Sequence, residues 1–437
     1  MRFCLMEKRN AYKILQERGY IYQSTDEQGL IELFDRESVT AYIGFDITAD
    51  SLHVGHMLPM MALSWLDRTG HRPITLMGGG TTMIGDPSGR NEMRKLMTRE
   101  TILENMEGIR PQAAKFISLH QGGKALMVDN SDWLMGLNYL EFLRDIGRHF
   151  SVNRMLSAEA YKSRLEDGLT FMEFNYMVMQ AYDFLHLYQA ENNKLQMGGQ
   201  DQWGNIVAGV DLIRRVTGGE AFGFTINLLL DPKTGAKFGK TNAGAVWLDK
   251  NKTSVFDFYQ FWRNTDDQQT ASLLKLFTFL PLEECVHLGS LTGNLVNRAK
   301  EILAYEITAM CHSPEEAAQA YLASIRTFGA ADPSGEVKTS SAVAKLTMDD
   351  ALADIPVVKI ALADLEAATV SDLFFLAGLS DSKGEARRLI RQGGAYLNET
   401  QVGAESESDP IKGAPWIAAG EATLRAGKKR YKKVQVG

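Results

Sequence analysis

His53-Val54-Gly55-His56 stands directly after a strand-like run, and Lys237-Phe238-Gly239-Lys240-Thr241 follows far downstream. Imidazoles at i and i+3 share one side of a helix start, where orphan amides and the macrodipole already favour anions. Two lysines on a glycine-bearing loop can close over a leaving pyrophosphate. Singly, each pattern is ordinary: HVGH is equally well a pair of surface histidines at a helix cap, and KFGKT is usually an exposed turn. Together and in this order they predict a site that holds ATP by its phosphates and spends it on activating a second molecule. Zinc at the histidines would need further ligands, which no Cys or His cluster supplies, so no protein-built metal site is expected.

A second group of residues bears on what is activated. Tyr176, Gln180 and Asp183 fall at i, i+4 and i+7, hence on one helix face, inside a run dominated by Phe, Met, Val and Leu. A buried carboxylate is expensive unless paired. The donor Asp183 needs is either a structural partner or a group that arrives with the substrate. Residues 85–89 (GDPSG) and 198–205 (GGQDQWGN) set carboxylates among glycines, where backbone can approach a ligand closely, although either could be a plain turn.

These residues must be carried by regular elements. In VTAYIGFD (39–46), Val39, Ala41, Ile43 and Phe45 alternate with Thr40, Tyr42, Gly44 and Asp46, which predicts a strand. A helix follows through MLPMMALSWLD to Gly70; Pro59 fits it only if it begins near Gly55, where a missing amide costs little. PITLMGGG (73–80) is the next strand. Strand, helix, strand predicts a parallel sheet covered by helices, with ligands beyond the strand ends. Thr170-Phe171-Met172-Glu173 has the spacing of a capping box and opens one long helix. Residues 300–328 read as helical, with Leu303, Ile307 and Met310 on one face. Residues 329–356, rich in Ala, Ser, Asp, Gly and Pro, read as a linker or flexible insert.

At 437 residues, two or three domains are expected. No stretch approaches the roughly 20 apolar residues needed to cross a bilayer, and the short apolar run before Glu7 and Lys8 argues against a signal peptide. Cys4, Cys285 and Cys311 are scattered, without metal spacing, as expected of reduced thiols in a cytosolic protein. The net charge of −7 disfavours a protein that coats nucleic acid. Yet from Gly420 to Gly437 six basic residues face one acid, Glu421, a local excess of +5 that suits contact with a polyanion.

YIGFDITADSLHVGH, IGDPSG, QAYDF, GGQDQWGN and KFGKT, in this order, closely resemble the bacterial tyrosyl-tRNA synthetase family, and the segment from Lys359 resembles the S-four-like RNA-binding domain that ends such enzymes. The resemblance implies a class I synthetase architecture of α/β class. A Rossmann-like catalytic domain (1–240) would precede a helical anticodon-side domain (241–328), the linker (329–356) and a small α+β RNA-binding domain (357–437). It also implies a cytoplasmic homodimer that joins L-tyrosine to tRNA(Tyr) using ATP, with Mg²⁺ arriving on the nucleotide.

The roles it implies are specific. Tyr42 and Asp183 would hold the substrate phenol. Tyr176, Gln180 and Asp86 would bind the α-ammonium, with Gln202 near the reacting carboxylate. Thr48 and His53 would contact the outer phosphates and His56 the nucleoside; Gly55 belongs to the same turn. Gly199 and Asp201 would hold the ribose, and Gly44 and Asp46 would line the floor. Lys237 and Lys240, helped by Arg90 and Arg94, would stabilise departing pyrophosphate. Lys383, Arg387, Arg388 and Arg391, at helical spacing, would meet RNA phosphates. Rejection of phenylalanine by a site built around a hydroxyl is a known property of this family and is implied here by resemblance alone.

Three positions depart from the family pattern. Ile43 stands where many relatives have Cys and cannot bond the ribose, a loss of about 1 kcal/mol. Gln200 replaces Ser, and Arg90 takes a place often held by Lys. Two other functions stay open at this level: a related enzyme activating another amino acid, and a non-catalytic RNA-binding descendant of a synthetase.

Overall fold

The computed structural model describes residues 10–88, 97–158, 161–162, 168–230, 232, 235, 238–241, 244–347, 357–398, 400–427 and 430–437. Its main sheet contains β1 (Ile21–Ser24), β2 (Thr40–Phe45), β3 (Arg72–Met77), β4 (Leu126–Asp129), β5 (Asn193–Gly199) and β6 (Phe222–Ile226), in the order β1-β6-β5-β2-β3-β4. Only β1 is antiparallel to its neighbour. The alternation in β2 sends Ala41, Ile43 and Phe45 into one core and Tyr42 into another on the opposite face. The chain leaves β2 for β3 on one side and reaches β5 on the other. The crevice beyond the carboxyl end of β2 is therefore a topological switch point.

Helices α1 (Ala11–Arg18), α2 (Glu27–Arg36) and α3 (Val54–Arg68) pack into the first of these cores, and α3 buries Met57, Met61 and Trp65 there. Pro59 is the sixth residue of α3, just beyond the turn whose amides lack helical partners anyway. The helix does begin beside Gly55, as expected, yet Pro59 lies deep enough that one helical bond, to the Gly55 carbonyl, is forgone. Helix α4 (Arg99–Ala113) leads to β4, which is followed by α5 (Ser131–Leu134), α6 (Tyr139–Asp145) and α7 (Val152–Leu156).

The capping box forms: Thr170 Oγ1 accepts from the Glu173 amide at 3.2 Å, and Glu173 Oε2 accepts from the Thr170 amide at 3.1 Å. The helix it opens is divided, however, into α8 (Phe171–Phe174) and α9 (Tyr176–Glu191). Asn175 lies at the break, its Nδ2 donating to the Phe171 carbonyl at 2.6 Å in competition with the backbone ladder. Helix α10 (Trp203–Thr217) runs beside α9 and completes the second core.

After the short antiparallel pair β7 (Lys240–Thr241) and β8 (Gly244–Ala245) come α11 (Val255–Arg263), α12 (Thr270–Phe277), α13 (Leu282–Gly289), α14 (Leu295–Cys311) and α15 (Pro314–Phe328). Leu303, Ile307 and Met310 are buried as their spacing requires, in a core continuous with that under α1–α3. Residues 329–347 are not free chain. Val337 and Val343 are buried in that core, while the Ala331 amide bonds Glu301, and Thr339 and Ser341 bond Glu284 and Glu306. The remainder of the expected linker, 348–356, lies outside the described residues.

The last segment has its own core of Leu373, Phe374, Ile390, Leu424 and Val434. It combines β9 (Val357–Ile360), β10 (Ala395–Leu397), β11 (Thr400–Gln401), β12 (Glu421–Ala426) and β13 (Arg430–Val436), ordered β11-β10-β12-β13-β9, with α16 (Leu362–Glu366), α17 (Val370–Leu376), α18 (Lys383–Arg391) and α19 (Pro415–Ala419).

Candidate active site

A cavity of about 1240 Å³ opens at the switch point. Tyr42, Gly44, Asp46, Thr48, His53, Gly55, His56, Asp86, Tyr176, Gln180, Asp183, Gly199, Asp201 and Gln202 all line it. Sequence positions spread over 160 residues of chain are thus brought to one space by the parallel strand ends (42 to 202). Arg90, Arg94 and Lys237 lie outside the described residues, and of Lys240 only the backbone, in β7, is described.

Asp183 and Tyr42 meet in this cavity, each about 1% exposed. Asp183 does not wait for a ligand to supply its donors: Asn130 Nδ2 donates to Oδ2 at 2.9 Å and Trp133 Nε1 to Oδ1 at 2.7 Å. The choice left open by the sequence is therefore settled in part toward structural partners. A carboxylate has roughly four lone-pair sites, so two protein donors leave it able to accept another. Burial pushes its pKa up to about 7, the two donors acting in the opposite sense. The Tyr42 hydroxyl is buried and has no hydrogen-bond partner among the described residues. Burial and the nearby Asp183 charge push its pKa well above the ordinary value.

A second polar cluster surrounds Asp86. Its Oδ1 accepts from the Ser88 amide at 2.8 Å and its Oδ2 from Gln202 Nε2 at 2.7 Å. Burial, then the charge of Asp46, raises its pKa to about 6. Asp46, expected on the nucleotide floor, also accepts from the Tyr176 hydroxyl at 3.3 Å. Asn205 Nδ2 donates to both Gln180 Oε1 and Gln202 Oε1, at 3.0 Å each, fixing which way those amides face. Two carboxylates, a phenol and oriented amide oxygens form a pocket for a cation.

At the start of α3 the histidines cap their own helix. His53 Nδ1 accepts from the Gly55 amide at 3.0 Å, and His56 Nδ1 accepts from the His53 amide at 3.2 Å. This is the capping-box arrangement with imidazoles as the acceptors. Because Nδ1 accepts in each ring, the proton of the neutral ring is on Nε2, which becomes a donor. The rings stack at 3.8 Å. A side chain at 55 would meet the His53 ring at 2.8 Å, which explains the glycine between the histidines.

Phe238 of the KFGKT motif is buried against Phe261, Trp262 and Phe277. Gly239 has φ +90°, and a Cβ there would press on Val54 at 3.1 Å, so this turn abuts the HVGH helix start.

In the C-terminal segment, Lys383, Arg387, Arg388 and Arg391 are exposed on α18. Two already have partners: Lys383 pairs with Asp372 at 2.7 Å, and Arg391 clamps Glu407 through two bonds of 2.8 and 2.6 Å.

Asn130, Trp133 and Asn205 were not singled out from the sequence. Asn205 stands in the GGQDQWGN motif, where its spacing of three from Gln202 was available as a signal. Asn130 and Trp133 follow β4 in a stretch (VDNSDW) with no periodicity to mark it.

Residues 35–329 match the family model described as "tRNA synthetases class I (W and Y)". A tyrosine–tRNA ligase of Desulfosudis oleivorans is 50% identical over 97% of this chain and 98% of its own length. One of Caldanaerobacter subterraneus subsp. tengcongensis is 47% identical over 97% and 98%. Among solved structures, a C-terminally truncated mitochondrial tyrosyl-tRNA synthetase of Aspergillus nidulans aligns with a TM-score of 0.65 and 32% identity, covering 72% of this chain and 93% of that one. Matches of that length and identity have one reading: the chain belongs to the class I tRNA synthetases of the tryptophan and tyrosine group, in the tyrosine–tRNA ligase family.

Proposed function

We propose that this chain activates L-tyrosine with ATP, releasing pyrophosphate, and transfers the tyrosyl group from the adenylate to the 3′ end of tRNA(Tyr). The observation that carries the tyrosine reading is the buried Tyr42 hydroxyl without a partner among the described residues, facing a cavity it shares with Asp183. A substrate phenol placed between them would accept from Tyr42 and donate to Asp183.

The amino acid's α-ammonium then falls to Asp86, Tyr176 and Gln180, and its uptake lowers the electrostatic cost of holding Asp86 near Asp46. Gln202 stands beside the reacting carboxylate. That carboxylate attacks the α-phosphate in line; the protein forms no covalent bond and contributes position and charge. His53 and Thr48 donate to the outer phosphates, His56 lies along the nucleoside, and Gly199 and Asp201 take the ribose above Gly44 and Asp46. Lys237, Lys240, Arg90 and Arg94 would draw off pyrophosphate. Mg²⁺ enters on the nucleotide rather than at a protein cage.

Transfer to tRNA is proposed to draw on the segment from 357 to 437, whose separate core and basic helix α18 suit an S-four-like RNA-binding module. The active form is proposed to be a cytoplasmic homodimer. Its contact would be the apolar residues exposed along α5–α7, Met135, Tyr139, Leu140, Leu143 and Val152.

Tyrosine-dependent ATP–pyrophosphate exchange tests the reading. The parent chain is expected to exchange with tyrosine and not with other amino acids, and Asp183→Ala to lose exchange while retaining its fold. Exchange unaltered in that variant, or exchange driven by another amino acid, would overturn it.

A further inference from the structure

Segment 244–248, just after the KFGKT turn, runs antiparallel to Leu52–Val54 and touches both ATP motifs. The Val246 amide donates to the Gly239 carbonyl at 3.3 Å, while the Val246 carbonyl accepts from the Val54 amide at 2.9 Å. The Leu248 amide donates to the Leu52 carbonyl at 2.9 Å, and His53 pairs with Trp247 as an isolated bridge. One residue thus bonds the turn on one side and the first residue of α3 on the other.

Trp247 lays its ring against His53, with centroids 5.8 Å apart and planes at 69°, the edge-to-face geometry that aromatic pairs favour. Behind it, Lys252 Nζ sits 4.9 Å from the Trp247 centroid and is ion-paired with Asp50; the Trp247 amide donates to Thr253 Oγ1 at 3.0 Å. His53 is therefore held on one face by the stacked His56 and on another by Trp247. Its Nδ1 is committed to the Gly55 amide, and the direction of Nε2 follows the orientation of the ring.

We propose that Trp247 is a positioning residue for the ATP half-reaction: it fixes the His53 imidazole relative to the Phe238–Gly239 turn, so that the two phosphate-handling motifs act in register. Trp247 is not among the residues lining the cavity, and its effect passes through His53. This inference rests on the proposed ATP-dependent activation of tyrosine. It adds a specific division: disturbing Trp247 affects ATP chemistry and spares tyrosine binding, because Asn130 and Trp133 hold Asp183, Gln202 holds Asp86, and Tyr42 is carried by β2.

The test uses the full-length parent, Trp247→Ala and Trp247→Phe, with single-turnover adenylate formation at saturating tyrosine and varied ATP, and equilibrium tyrosine binding without ATP. Trp247→Ala is expected to slow adenylate formation at saturating ATP by roughly tenfold, since small misplacements of a reacting constellation are costly. Tyrosine binding should stay within about twofold, and Trp247→Phe, which keeps an aromatic edge, should recover most of the rate. A parent-like rate in Trp247→Ala, tyrosine affinity lost in parallel, or no recovery with Phe would overturn the proposal and make Trp247 an ordinary packing residue. A parent chain that forms no adenylate from tyrosine at all would instead overturn the functional reading beneath it.

Discussion

Asn130 Nδ2 donates to Asp183 Oδ2 at 2.9 Å, while Asn130 Oδ1 accepts from the Gly80 amide at 2.8 Å. One side chain therefore locks the glycine turn at the end of β3 to the carboxylate that faces Tyr42. Removing it does two things at once: it deprives a buried carboxylate of a donor, and it leaves a buried amide unpaired.

Asn130→Ala is accordingly expected to weaken tyrosine use more than ATP use. A hydrogen bond to a charged group is worth about 1.5–3 kcal/mol, so preference for tyrosine over phenylalanine should fall on the order of tenfold or more. Exchange rates with each amino acid at fixed ATP measure this. Unchanged discrimination would show that Trp133 alone orients Asp183.

The pH dependence follows from Asp183 and Asp86. Raised to about 7 and about 6, both carboxyls become protonated on mild acidification. Accepting from a phenol and binding an ammonium require the ionised forms. Hence kcat/KM for tyrosine should fall as pH drops through about 7, and more steeply through about 6, whereas the ATP dependence at saturating tyrosine should be flatter. Stability moves the other way for Asp183. Its folded pKa exceeds the ordinary 3.8, so the folded chain holds a proton that the unfolded chain gives up, and this site's contribution improves as pH falls through about 7. A tyrosine kcat/KM that is level from pH 8 to pH 5 would contradict the assignment of these carboxyls to binding.

How much of this was legible beforehand differs by the kind of signal. The helix start at His53, the alternation in β2 and the shared face of Tyr176, Gln180 and Asp183 are local patterns, and the fold respects them: β2 sends its two faces into two different cores, and Tyr176, Gln180 and Asp183 line one cavity. The partners of Asp183 were not legible, since Asn130 lies between β4 and α5 and Trp133 within α5, and they reach α9 only through strand order. The break at Asn175 was hidden because a side chain competing with the backbone leaves hydrophobic spacing intact. The Ala- and Ser-rich composition of 329–347 suggested free chain, yet acceptors on α13 and α14 bind its amide and hydroxyl groups.

His53 should have separable roles. Asn is among the best N-cap residues, so His53→Asn should keep the cap and melt close to the parent, while His53→Ala should lose about 1 kcal/mol. Neither can offer the ring's Nε2 donor, so both should slow adenylate formation by roughly 100-fold, as loss of a preorganised donor does elsewhere. Thermal melts alongside single-turnover rates distinguish the two effects. Activity restored by Asn would mean that capping, rather than donation to phosphate, is what this histidine supplies.

Ending the chain before residue 357 removes β9–β13 and α16–α19, which pack around their own core. The cavity residues all lie earlier, between 42 and 277. The shortened chain should therefore keep tyrosine-dependent exchange and lose most tRNA charging. Measuring exchange and charging on the same preparation checks this; parallel loss of both would contradict the division of labour.

The apolar surface of α6 supplies the last prediction. Phe142 points inward, its ring edge-to-face with Tyr182 of α9 at 5.3 Å. Tyr139, Leu140 and Leu143, spaced so that they share the outer side of the helix, are exposed, Leu140 by 73%. A helix face meant for water would carry charge there. Against a second copy related by a two-fold axis, the same patch would be contributed, and buried, by both copies in one contact. Leu140→Asp with Leu143→Asp should then place unpaired carboxylates in that contact and weaken association by at least about a hundredfold, since burying a charge without a partner costs several kcal/mol and each 1.4 kcal/mol is about tenfold. Because both positions are solvent-facing in the single chain, its secondary structure should be unchanged. Sedimentation at micromolar concentration reads the outcome: a parent dimer and a folded, monomeric variant support the contact, and a variant that remains dimeric places the interface elsewhere.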